Sequence, residues 1–439
     1  MKMKKLLSLA MAGVLSASLL AGCGAASSSA AGTASGSGSA AGEEPITLKW
    51  SVWDIDATAY YQPLIDAYTA EHPNVTIEMV DLGSTDYQTV LATQLAGGAD
   101  DLDIISVKDI PGYSNLVNLG MLEPLKSYTD AAGFDTTQLG GTVEQITVDG
   151  DFYALPFIQS FWVVFYNKDL FDAAGVEYPT NDMTLEKYDA LARQLTSGEG
   201  AEKVYGCHYH NWRSCVQLFG ILDGKNTIVD GTYDFLQPYY EMILAQQDDG
   251  ICMDYATIKT GSIHYSGVFY NNQCAMMNQG SWFLATQIAA VKSGESLATN
   301  WGIVKYPHPE GVEAGTTLGT ITSLGVNSKS ANKQAAFDFI EFVAGEEGAK
   351  IVAETGSFPA LSSDEALDII ASVDGFPTDE NSREALNTVK TYLEMPMHEK
   401  SADIEVVLNQ AHDNIMTENC TIEEGIQAMN EGVQAILNA

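Results

Sequence analysis

Residues 46–107 read ITLKWSVWDIDATAYYQPLIDAYTAEHPNVTIEMVDLGSTDYQTVLATQLAGGADDLDIISV, and two hydrophobic periods alternate along them. Ile46, Leu48, Trp50 and Val52 fall on every second residue, the period of a half-buried strand. Tyr61, Leu64, Ile65 and Tyr68 recur at spacings of three and four, the period of an amphipathic helix, which Pro73-Asn74 interrupts. Val75, Ile77 and Met79 alternate again, Tyr87, Val90, Leu91 and Leu95 form a second helical stripe ended by Gly97-Gly98, and Ile104, Ile105 and Val107 make a third, short strand. This β-α-β-α-β order predicts a parallel sheet with helices on its faces.

Working outward, Asp149-Gly150 lies between Ile146/Val148 and Phe152/Tyr153 and predicts a tight hairpin turn. Residues 161–166 are continuously apolar, as a strand buried on both faces would be. Ala336, Phe337, Ile340 and Val343, and later Ile422, Ile426, Met429, Val433 and Ile436, read as helical faces. A chain of 439 residues exceeds one ordinary core and predicts two domains or lobes in an α/β fold.

Upstream, Lys2, Lys4 and Lys5 precede a short apolar run that ends at Leu20-Ala21-Gly22-Cys23. A basic start, an apolar middle and a small-residue cleavage site predict a removed secretory leader over 1–22. The run is shorter than the ~20 residues of a membrane span. Leu20-Ala21-Gly22-Cys23 resembles the lipobox of bacterial lipoproteins, which implies that Cys23 is acylated and anchors the chain by lipid. Residues 24–42 are almost only Ala, Ser, Gly and Thr, a composition that buries no core, so 23–42 reads as a flexible tether.

The chain carries 58 acidic against 21 basic residues, and three of the lysines lie in the leader. Such acidity excludes nucleic-acid binding, which selects basic surfaces. Beyond Cys23 the cysteines are 207, 215, 252, 274 and 420, an odd and sparse set that is no disulfide framework. Cys207 and Cys215 are a candidate pair in an oxidising compartment, with buried free thiols as the alternative. No CxxC, HExxH, GxSxG, GxGxxG or P-loop occurs, so no cofactor and no metal site is expected.

Four blocks carry a resemblance. In 154–192, ALPF…VVFYNKDLFDAAGVEYPTNDMTLEKYDALA, the residues Pro156, Tyr166, Asn167, Lys168, Asp169, Leu170, Phe171, Ala174-Gly175, Pro179 and Thr184 stand in order. Phe269…Ala275-Met276…Gly280-Ser281-Trp282 follows, then 328–361, SKSANKQAAFDFIEFVAGEEGAKIVAETGSFPAL, and Thr421-Ile422-Glu423-Glu424-Gly425-Ile426. Together they resemble the extracellular solute-binding proteins of bacterial ABC transporters, most closely the carbohydrate-binding, maltose-binding-protein-like group. The chain departs from that pattern at Leu185, where the family has Trp, and at Asn272-Gln273, where it has Gly-Lys. The resemblance implies a periplasmic-binding-protein-like fold: two α/β lobes with a ligand cleft between them. By analogy the chain crosses near 154–157, 302–306 and 328–332. Lobe one would hold 43–155 and 304–330, and lobe two 156–303 and 331–439.

A sugar offers hydroxyls at its edges and C–H faces above and below, so its site needs flat aromatics and planar polar groups. Trp53 and Asp54 stand at the end of the first strand, and Lys108 and Asp109 at the end of the third. Trp282 lies in the Gly-Ser-Trp block, where the family often stacks an aromatic on sugar. His210-Asn211-Trp212-Arg213 is a run of stacking and hydrogen-bonding groups that makes poor core and predicts a loop at the cleft. Gln159, Ser160, Gly319 and Thr320, near the crossings, complete the candidate set. Tyr87 and Trp50 read as core.

The expected protein is therefore a monomer, lipid-anchored on the extracellular face of the cell membrane. It captures a sugar or oligosaccharide by lobe closure, performs no chemistry, and delivers its ligand to an ABC permease. The competing readings are a surface-anchored glycoside hydrolase with two carboxylates across the cleft, and a binding protein for a peptide, polyamine or metal.

Overall fold

The alternation at 46–52 becomes strand β1 (Ile46–Val52), whose Leu48, Trp50 and Val52 are buried. These elements come from a computed structural model that describes residues 44–83, 87–98, 101–361 and 363–439. The leader, Cys23 and the tether lie outside the described residues. Helix α1 (Tyr61–Glu71) buries Tyr61, Leu64, Ile65 and Tyr68, the stripe its spacing predicts. Strand β2 (Val75–Asp81) pairs parallel with β1 along its whole length. Helix α2 (Tyr87–Ala96) leads to β3 (Ile104–Val107), which joins the other edge of β1 through Trp50 and Ser51.

From there the sheet turns antiparallel, and one strand extends it into a second region. Strand β4 (Leu155–Asn167) is longer than the apolar run at 161–166 suggested. Its first half, from Leu155 to Phe161, pairs with β8 (Thr316–Val326), which pairs in turn with β3. Its second half, from Trp162 onward, runs between β6 (Cys274–Gly280) and β7 (Trp301–Lys305). Strand β5 (Tyr205–His208) flanks β6, and β9 (Lys390–Leu393) flanks the start of β8. The register of β4 shifts between Pro156 and Ile158, where proline has no amide to give to the ladder.

Asp149 and Gly150 both have positive φ, 53° and 85°, the tight turn their sequence predicts. It closes a single bridge, Val148 to Asp151, rather than a full hairpin. Helix α3 (Ile110–Asn118) starts at Asp109, whose carboxylate accepts the Gly112 amide at 2.9 Å.

Ala336, Phe337, Phe339, Ile340 and Val343, on the helix Lys333–Ala344, share a core with Leu48, Trp50 and Tyr61. This segment packs on the β1 side and on the start of β4, where Phe157 and Ile158 share its core, and its aromatic face completes the cover over Trp50. The chain leaves that side around 357–361, where the Gln159 amide donates to Phe358 and the Ala360 amide to Phe157. Ala366, Ile370 and Phe376 then join the core of Phe165, Phe269 and Phe283. Near the end, helices Ser401–Met416 and Ile422–Leu437 pack with Tyr188, Leu218 and Tyr240.

Candidate ligand-binding site

The strands deliver side chains to one neighbourhood at their ends, where ligands of open α/β sheets sit. Trp162 begins the second half of β4, Trp282 follows β6, and Trp212 follows β5. Their rings meet edge to face: Trp162 to Trp282 at 5.7 Å, Trp212 to Trp282 at 6.1 Å and Trp162 to Trp212 at 6.5 Å. Tyr265 adds a fourth ring 5.5 Å from Trp212. Trp162 is buried, whereas Trp212 and Trp282 are only half-buried. Gly280 is required here, since a Cβ on it would fall 2.0 Å from the Trp282 ring.

His210 packs against this corner, 4.6 Å from Trp212 and 5.2 Å from Tyr265. Burial, with His208 and His264 nearby, pushes its pKa down to about 3, so it is a neutral ring that donates or accepts a hydrogen bond. Its Nδ1 is buried without a protein partner.

Glu394, one residue past β9, accepts a hydrogen bond from the Trp162 indole nitrogen. Burial raises its pKa to about 7, against the pull of the indole and of Arg213, and Glu405 and Asp109 push the same way as burial. Arg213 itself is buried and pairs with Glu405, its Nε donating at 2.9 Å. A second donation, Nη1 to Gln217 Oε1 at 3.2 Å, holds the guanidinium from behind. Burial opposes the Arg213 charge, yet Glu405 keeps its pKa above the ordinary value.

On the β1 side, Lys108 Nζ lies 5.4 Å from the centre of the Trp53 ring, and Trp53 packs on Tyr87 at 4.9 Å. Burial lowers the Lys108 pKa, while Asp109 and Asp54 oppose that. Asp54 has φ of 50°, a left-handed backbone uncommon outside glycine, and its carbonyl accepts the amides of Ala57 and Thr58. Burial lowers the His264 pKa and raises that of Tyr265, and the Asp54 charge opposes the first shift and adds to the second.

Of the sequence candidates, Trp53, Asp54 and Lys108 thus gather at one side, and His210, Trp212 and Trp282 at the other. Asn211 is half-buried beside them, its carbonyl accepting from Tyr255 at 3.2 Å. The 210–213 run is no surface loop, since His210 and Arg213 are buried. Asp109 serves as the cap of α3, and Arg213 is committed to Glu405. Ser160 and Gly319 sit inside the β4–β8 ladder, where the position of a Gly319 Cβ lies 2.6 Å from the Ser160 carbonyl oxygen. Gln159 and Thr320 are half-buried rungs of the same ladder. Sequence reasoning missed Trp162, His264, Tyr265, Glu394 and Glu405. The adjacent rings His264-Tyr265 were a usable signal; Glu394 and Glu405 had none among 58 acids.

A wall of indoles beside carboxylates and a neutral imidazole suits a ligand with both apolar faces and hydroxyl edges. The fold is that of two-lobe periplasmic binding proteins. The model of the bacterial extracellular solute-binding protein family matches residues 53–350, and the chain belongs to that family. It is similar to the lactose-binding protein of Rhizobium radiobacter, 24% identical over 325 residues covering 70% of this chain and 74% of the relative. Among solved structures, a sugar transporter from Rhizobium etli in an open conformation aligns with a TM-score of 0.76 and 55% identity, covering 89% of this chain and 99% of that one. An ABC substrate-binding protein from Listeria monocytogenes in complex with cycloalternan shares the fold at the same TM-score of 0.76 with 21% identity, covering 90% of this chain and all of the other. Among the described residues, no helix is long and apolar enough to cross a membrane.

Proposed function

We propose that this protein captures a sugar or oligosaccharide outside the cell and hands it to an ABC transporter permease, without chemistry of its own. The observation that carries this reading is the corner formed by Trp162, Trp212 and Trp282 with Glu394 at its edge. Indole faces stack on sugar C–H faces, and the carboxylate and the neutral His210 meet hydroxyls. Relatives that bind lactose and mannitol support the substrate class.

The binding step in this reading is closure of two lobes, with β4 and β8 as continuous strands running between them. In this reading lobe one holds 44–155 and 322–356, and lobe two holds the rest of the globular body. Acylation at Cys23 keeps the body within tether reach of the permease.

A thermal-shift screen against a panel of oligosaccharides tests the reading, since a ligand that binds only the folded chain raises the melting temperature. A hit confirmed by calorimetry supports it. A panel in which no mono- or oligosaccharide shifts the melting temperature at millimolar concentration rejects it. Small-angle scattering with the hit should show a smaller radius of gyration; an unchanged profile at saturation would mean a rigid site.

A further inference from the structure

Among the described thiols, Cys207 and Cys252 lie beside each other, away from the aromatic wall. Cys207 is in β5, and the amides of Gly206 and Cys207 both donate to the Ile251 carbonyl, at 3.0 and 3.4 Å. The backbone of β5 therefore runs directly beside residues 251–252. Cys207 and Cys252 are buried in the same core, where both are free thiols. Both also meet Gln246: the Cys207 thiol donates to its Oε1 at 3.6 Å, and the Cys252 amide to its carbonyl at 3.4 Å. Cys274 stands opposite Tyr205 on the neighbouring strand, two residues from the Met276 that pairs with Cys207. Cys215, the candidate partner of Cys207 in the sequence, is a buried free thiol on the short helix Ser214–Gln217, its amide donating to the Trp212 carbonyl at 3.1 Å.

We propose that Cys207 and Cys252 are joined by a disulfide in the exported protein, tying β5 to the segment that follows the helix Gln237–Asp248. The oxidant is an external disulfide, of a small thiol or a thiol oxidoreductase. One cysteine thiolate attacks it, forms a mixed disulfide and releases one thiol. The second thiolate attacks the protein sulfur of that mixed disulfide, closes the bond and releases the second thiol. Two protein thiols thus lose two protons and two electrons, and the external disulfide is reduced to two thiols. In the folded chain both cysteines are buried, 0% and 4% exposed, which closes them to attack. The bond therefore forms during folding, before β5 is covered, in the compartment to which the leader directs the chain.

Peptide mapping of the full-length chain, refolded in mixed reduced and oxidised glutathione and then alkylated, tests this. The expected result is one peptide pair containing Cys207 and Cys252 that separates only after reduction. Recovery of both cysteines as alkylated peptides, or a bond from Cys207 to Cys215 or Cys274, would overturn it. A second measurement covers variants that fold poorly. Reductant present during refolding should lower the melting temperature of the unsubstituted protein by several degrees and leave the C207A/C252A double variant unmoved. An equal response in both proteins would also reject the bond.

Discussion

Two tryptophan clusters, one around Trp50 and one around Trp162, use the same chemistry to opposite ends. Trp50 is fully buried, edge-on to Tyr61 at 5.0 Å and Phe339 at 5.4 Å, and its indole nitrogen donates to the Ser106 hydroxyl at 2.8 Å. Every polar atom of that ring is satisfied by a neutral partner, and apolar groups from three segments close over it. Trp162 is equally buried, but its indole nitrogen meets a carboxylate, and its ring neighbours Trp212 and Trp282 remain half open to solvent. The Trp50 cluster is complete within the chain. The Trp162 cluster joins an ionisable acid, a neutral histidine with an unpartnered nitrogen and partly exposed indoles, which is costly to keep without a ligand.

The widest separation between the clusters should come from Trp50→Ala. Emptying a fully buried indole site should cost about 3–5 kcal/mol of folding stability. The remaining folded protein should bind its sugar normally by calorimetry. If stability barely moved, the Trp50 cluster would not be the core it is described as.

Arg213→Gln comes next. It leaves Glu405 beside Glu394 and Asp109 without its cation, and breaking a buried pair from one side costs about 3 kcal/mol. Chemical denaturation should show that loss without ligand. Weakened affinity with unchanged apo stability would make Arg213 a ligand contact and blur the comparison.

Trp282→Ala should do the reverse of Trp50→Ala. Loss of a half-exposed stacking face should weaken sugar binding by about tenfold or more, a hot-spot penalty of roughly 2 kcal/mol. Apo melting should change far less than for Trp50→Ala. A large apo destabilisation with near-normal affinity would move Trp282 into the structural core.

The smallest effect concerns Glu394 and pH. Its pKa is raised from 4.5 to about 7, so between those values the folded protein holds a proton that the unfolded chain releases. Its contribution to stability is therefore whole on the acid side of the unfolded value and is lost as pH rises through the folded one. Relative to Glu394→Gln, the unsubstituted protein should lose on the order of 1 kcal/mol or more from about pH 5 to about pH 8. Parallel melting curves for the two proteins across that range would show that Glu394 is not held in its unusual state.

How legible each part was follows from the range of its determinants. The stripe Tyr61, Leu64, Ile65, Tyr68 was readable because helix burial repeats over neighbouring residues, and the same holds for the alternation in β1. Asp149-Gly150 was readable as a turn because positive φ is a local demand, although the flanking residues stop at one bridge. The helix at 333–344 was recognisable as a helix, but its side of the molecule was not, because nothing local in its apolar face says which sheet it covers.

The amino-acid sequence by itself determined the βαβ beginning, the placement of Trp53, Asp54, Lys108 and Asp109 at strand ends, and the family to which the chain belongs. Periodicity, capping and turn chemistry act within a few residues, so they are written locally. The tertiary structure alone decided that Glu394 meets Trp162 across 232 positions, that Glu405 takes the Arg213 charge, and that Cys207 lies beside the Ile251–Cys252 backbone. These pairings join segments far apart in the chain that meet only once the sheet and its helices are assembled. A carboxylate's charge state and a thiol's neighbour depend on the fields and contacts made at that moment, and no local pattern encodes them.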